Sequence, residues 1–130
     1  MVELLSEFPD HVAAYRASGK VGRQEYEQVV VRRVDEVAER FGYINFLVLL
    51  QTDMDNYSIG AFIEYLKASF GHFTQWNRMA IVSDEAWVRT AYDLLSPLVP
   101  GKIRGYKLDQ FEAARQWVSE PSLNDENNVK

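Results

Sequence analysis

The chain predicts a single α/β domain built on a mixed, mostly parallel five-stranded sheet with four helices, in the order ββαβαβαβα. Three observations carry that reading. Residues 43–50 form a continuous apolar run broken only by Asn45, the signature of a strand buried on both faces. Short apolar runs alternate with segments of helical periodicity from residue 24 onward. Alternating strands and helices imply parallel pairing through right-handed crossovers.

The elements follow in order. Residues 3–6 and 12–17 read as a leading antiparallel hairpin, joined by the turn chemistry of Glu7-Phe8-Pro9-Asp10. A helix is expected over residues 24–41, where Tyr26, Val29, Val30, Val34, Val37 and Phe41 recur at helical spacing. Gly42 stands where a left-handed residue would end it. After the buried strand comes a polar loop, 51–57, and Ser58 is placed to cap a helix reaching residue 73. Its apolar stripe is Ile59, Phe62, Ile63, Leu66, Phe70 and Phe73.

Residues 79–82 are the next strand. Asp84 can cap a helix over residues 85–95 that buries Trp87, Val88, Ala91, Leu94 and Leu95, and Pro97 and Pro100 mark its exit. The last strand spans 103–108, where Lys102, Arg104 and Lys107 read as charges guarding a sheet edge. Asp109-Gln110-Phe111-Glu112 opens a final helix to about residue 118. The domain is assigned to residues 1–120, and 121–130 read as a flexible polar tail.

Composition narrows function by exclusion. The 130 residues are 47% hydrophobic, enough for a core without staples. With no Cys, disulfides, thiolate metal sites and a Cys nucleophile are excluded. The N-terminus has neither the basic region nor the apolar core of a signal peptide, and the run 46–50 is too short to span a bilayer. A cytoplasmic location is expected, with at most peripheral membrane contact. Net charge is −5. Three acids and one base fall in 119–130, leaving 16 acids against 13 bases in the body, with no basic run, which argues against nucleic acid.

Catalytic and metal constellations are poorly supplied, and no cofactor is expected. Asn56-Tyr57-Ser58-Ile59-Gly60 lacks the first glycine of a nucleophile elbow. Asp53, Asp55 and Glu64 match three positions of a calcium loop, but Ser58 occupies the place that needs glycine. His11 and His72 have no second ligand at metal spacing. The aromatics are more informative. Tyr57, Ser58, Ile59, Phe62, Phe73, Trp76 and Trp87 are the candidate lining of a ligand site over the strand ends, the usual binding place in open α/β sheets. Trp76 stands out because it lies in a polar connection, where periodicity does not require burial.

Several segments together resemble the SpoIIAA-like family of the STAS/CRAL-TRIO-like superfamily, over roughly residues 1–120. They are Val2-Glu3-Leu4-Leu5, Tyr15-Arg16-Ala17-Ser18-Gly19-Lys20-Val21, Glu25-Tyr26-Glu27, Phe46-Leu47-Val48-Leu49-Leu50, Arg78-Met79-Ala80-Ile81-Val82-Ser83-Asp84-Glu85-Ala86-Trp87, Ile103-Arg104-Gly105-Tyr106 and Glu112-Ala113-Ala114-Arg115-Gln116-Trp117. The resemblance implies a non-enzymatic binding module. STAS proteins act as anti-sigma-factor antagonists with a phosphorylatable Ser at the helix after the central strand; CRAL-TRIO domains enclose lipids. Ser58 matches the switch position, although Tyr57 precedes it and Ile59 separates it from Gly60. The expected occupant is a small apolar or lipid-like ligand at the strand ends. The alternative is a protein partner bound by a STAS-type regulatory module with Ser58 as the candidate regulatory residue. Aromatics near residues 73–76 also suit a homodimer contact.

Overall fold

The computed structural model describes residues 1–70, 75–99 and 101–121. Phe73 and the tail from residue 122 therefore lie outside the described residues. The sheet has the order β1-β2-β3-β4-β5, with strands Val2–Leu4, Val12–Ala17, Ile44–Leu50, Trp76–Ser83 and Lys102–Lys107. β1 pairs antiparallel with β2, and every later pairing is parallel. The chain is thus a mixed, mostly parallel α/β domain, as its sequence predicts.

The first helix begins as α1 (Arg23–Tyr26), passes through a π-helical turn (Glu27–Val31) and continues as α2 (Arg32–Phe41). With α3 (Asn56–Phe70), α4 (Glu85–Leu95) and α5 (Phe111–Val118), four helical rods flank the sheet. Gly42 has φ 77°, the left-handed conformation that ends α2 with least strain for a glycine.

Two cores result. On one face, Tyr15, Phe46, Val48, Met79 and Ile81 meet Val30, Val34 and Val37 of the first rod, Phe62 and Leu66 of α3, and Ala91 and Leu95 of α4. On the other, Val12, Ala14, Leu47, Ala80 and Val82 meet Ala114, Trp117 and Val118 of α5. β3 is covered on both sides, which is why its sequence is continuously apolar. β5 is the outer strand, and its pattern of exposure leaves Lys102, Arg104 and Lys107 in solvent. Gly105 lets α4 approach closely, because a Cβ there would run into the Val88 side chain. Leu94, expected in the core, is exposed instead.

The π turn is tied to the sheet by one buried bond. The Tyr15 hydroxyl donates to the Val30 carbonyl at 2.9 Å. Burial pushes the Tyr15 hydroxyl pKa well above its usual value. Tyr15→Phe keeps the ring but leaves that carbonyl without its donor. It is expected to cost about 1–3 kcal/mol in denaturant unfolding and to speed amide exchange around residues 27–34.

A bulge reshapes β4. Ile44 pairs with Trp76, yet Asn45 pairs with Arg78, so Asn77 is an extra residue in the ladder. Strict alternation from Met79 and Ile81 would put Trp76 on the α5 face. The inserted residue returns it to the larger core, where its ring meets Phe46 edge-on at 6.0 Å. Trp76 is therefore the buried first residue of β4, 5% exposed, and not part of a polar connection.

Candidate functional site at the strand ends

The parallel strands end along one edge, with Ala17 beside Leu50, Leu49 beside Val82, and Ser83 beside Lys107. The turns leaving this edge are held together by one backbone–backbone and one backbone–side chain bond. Gln51 N–H donates to the Ala17 carbonyl at 2.9 Å, and Gly19 N–H donates to Asp53 Oδ1 at 3.2 Å. Met54 is buried beneath them.

Two helices start here. Asp55, not Ser58, caps α3: its Oδ1 accepts the Ser58 N–H at 2.7 Å, and its carbonyl accepts the Ile59 N–H at 3.0 Å. The helix consequently begins at Asn56, three residues earlier than a Ser58 cap would allow. The Ser58 N–H, and secondarily the Ser58 hydroxyl, hold the Asp55 carboxyl below its usual pKa, with Lys20 adding a smaller pull. At α4 the sequence expectation holds, since Asp84 Oδ1 accepts the Trp87 N–H at 3.1 Å. The Trp87 ring N–H donates to Asn56 Oδ1 at 2.9 Å, linking the two helix starts.

The expected site residues divide into three groups. Tyr57 and Trp87 sit on this edge, with Tyr57 84% exposed and Trp87 half-buried. Ser58, Ile59 and Phe62 belong to the same helix but turn inward, and Ser58 is only 5% exposed. Trp76 begins β4 and so lies at the opposite end of the strands, roughly 20 Å from Trp87 along an eight-residue strand. The structure does not bring Trp76 and Trp87 together.

A pocket of about 440 Å³ lies elsewhere, between α1 with its π turn and α3. Helical periodicity alone does not point to it: a π insertion shifts the apolar phase by a single residue, and the consecutive Val29-Val30-Val31 is the nearest clue. Also unanticipated is the polar cluster that anchors α5. Asn45 Nδ2 donates to the carbonyls of Val118 at 2.8 Å and Glu120 at 2.7 Å, and Arg78 Nη1 donates to the Trp117 carbonyl at 2.8 Å. Among the described residues no group of three or more His, Cys, Asp or Glu side chains is placed to hold a metal ion, and no helix is long and apolar enough to cross a membrane.

A mixed sheet with three crossover rods on one face, a short terminal helix on the other, and a helix start after the central strand defines a STAS-like α/β module. The SpoIIAA-like family model matches residues 12–119, and the chain belongs to the SpoIIAA-like family. No curated protein and no solved structure gives a significant match.

Proposed function

We propose that this chain is a non-catalytic, STAS-type regulatory module that docks a protein partner on the C-terminal edge of its sheet. Tyr57 carries the reading. It is a large aromatic side chain, 84% exposed, in the first turn of the helix that follows the central strand. Tyrosines of this kind anchor protein interfaces because they bring area at low entropic cost. Trp87 extends the surface, fixed in orientation by Asn56. Ser58 is the regulatory residue of this reading. Its N–H is bound to the Asp55 carboxylate and its side chain is buried, so phosphorylation there requires the first turn of α3 to open and adds a dianion beside Asp55.

A lipid-like ligand at the strand ends has less support. Ile59 and Phe62 are committed to the core, and the Trp87 ring N–H is already engaged. The test places a photo-crosslinking benzoylphenylalanine at position 57 of the full chain, with position 92 on α4 as a control. A discrete hetero-adduct at 57 alone is expected, and Tyr57→Lys should then weaken affinity for that partner at least about tenfold. An adduct with a second copy makes this edge a homodimer contact and overturns the reading, as does the absence of any adduct.

A further inference from the structure

We infer that the pocket between α1 and α3 is a binding site for a small aromatic carboxylate. The site is separate from the strand-end edge, and the inference does not depend on partner docking there. Its volume of about 440 Å³ falls within the range of small-molecule sites, roughly 300–1,000 Å³. One wall is the first rod, with Arg23, Tyr26, Glu27 and Val31; the facing wall is α3, with Tyr65, Ala68 and Ser69.

The floor is pre-organised. The Tyr26 hydroxyl and Ser69 Oγ lie 2.8 Å apart, and Ser69 Oγ donates to the Leu66 carbonyl at 3.1 Å, so the two walls are fastened across the pocket base. The half-buried Tyr65 offers aromatic surface to an entering ring and is backed by the buried Tyr26 ring, 5.4 Å away at 42°. Below them Val34, Phe46 and Trp76 pack without room for a water molecule, which closes the site from beneath. The π turn widens the rod where it faces the pocket, and insertions of this type recur at functional sites. The Tyr15 bond to the Val30 carbonyl holds that turn open from the sheet side.

Charge at the rim selects the ligand's polar end. Arg23 is exposed and makes no ion pair among the described residues. A carboxylate pairs with its guanidinium in a fork, while the ring lies against Tyr65. Glu27, on the same wall, disfavours a second negative charge and so favours a monoanion.

The probe is naphthoate, with neutral naphthamide as its isostere, titrated into the nitrogen-labelled full chain and followed by amide chemical shifts. Saturable shifts confined to residues 23–31 and 65–69 are expected, with Kd on the order of 0.1–1 mM for so small a probe. Arg23→Gln should weaken naphthoate about tenfold and leave naphthamide unchanged. Ala68→Trp, at an exposed helical position, should abolish binding of both by filling the mouth while the unfolding curve stays in place. Three results overturn the assignment: no saturation at millimolar probe, shifts centred on residues 53–58 and 84–87, or an equal response of both probes to Arg23→Gln.

Discussion

Phe46→Ala is expected to lower the unfolding free energy by about 3–5 kcal/mol, among the largest effects of any single substitution in this chain. Phe46 is fully buried in β3, flanked in register by Ala13 of β2 and Met79 of β4. Its ring lies 5.5 Å from Tyr15 and 6.0 Å from Trp76. Those neighbours are large and pinned: Tyr15 by its bond to Val30, Trp76 by the bulge that sets it on this face. They cannot collapse into the space a truncated side chain leaves, so the cavity term is added nearly in full to the lost transfer free energy. In urea the midpoint should fall while the slope is retained, because both states keep their compactness. Phe46→Leu should cost roughly 1–2 kcal/mol, since most of the volume survives. A loss below about 1.5 kcal/mol for the alanine variant would mean that the larger core relaxes around the hole, and that the floor of the α1–α3 pocket is softer than the ring contacts imply.

The same residues show why the fold was readable and the site was not. β3 announces itself because burial on both faces removes polar residues from the whole strand, a constraint that acts on every position. Gly42 and Asp84 are readable because a left-handed φ and a free helix N-terminus each favour a few residue types. Trp76 misleads for the opposite reason. Its face is decided by one inserted residue, Asn77, and a single insertion reverses alternation without changing composition. Ser58 misleads because Asp55 is an equally good cap three positions earlier, and the choice is settled by where the turn after β3 releases the chain. The α1–α3 pocket depends on a π turn and on hydroxyls from residues 43 positions apart, Tyr26 and Ser69, which no local pattern connects. Site geometry of this kind arises from packing between rods, and it becomes visible only when the rods are placed.

Asn45 shows that a lone polar residue in an apolar strand can be read as a tether. Asn45→Ala is expected to destabilise the domain by about 3 kcal/mol and to loosen α5 selectively. The side chain is completely buried, and it accepts a bond from Asn77 Nδ2 at 2.8 Å while donating both of its own protons to carbonyls at the end of α5. Helix C-termini leave their last carbonyls unsatisfied, and here Asn45, Arg78 and His11 take four of them between residues 117 and 120. Removing Asn45 strands two carbonyls and one amide at once: the Val118 carbonyl is left unpaired in the core, and the Glu120 carbonyl and Asn77 amide lose part-buried bonds. Arg78 cannot replace it, because its guanidinium is committed to Trp117 by a hydrogen bond and by stacking at 5.1 Å, and to Glu120 at 2.8 Å. Hydrogen exchange should therefore rise across residues 111–120 well before β3 and β4 lose protection, because α5 contributes only the smaller core. Asn45→Asp keeps the size but sets a carboxylate against the same carbonyls, so its loss should exceed that of alanine near neutral pH and shrink as the solution is acidified and the carboxyl takes up a proton. Asn45→Ala exchange that rises uniformly over the whole chain would show that α5 is an integral part of the folding unit and not a separately anchored cover.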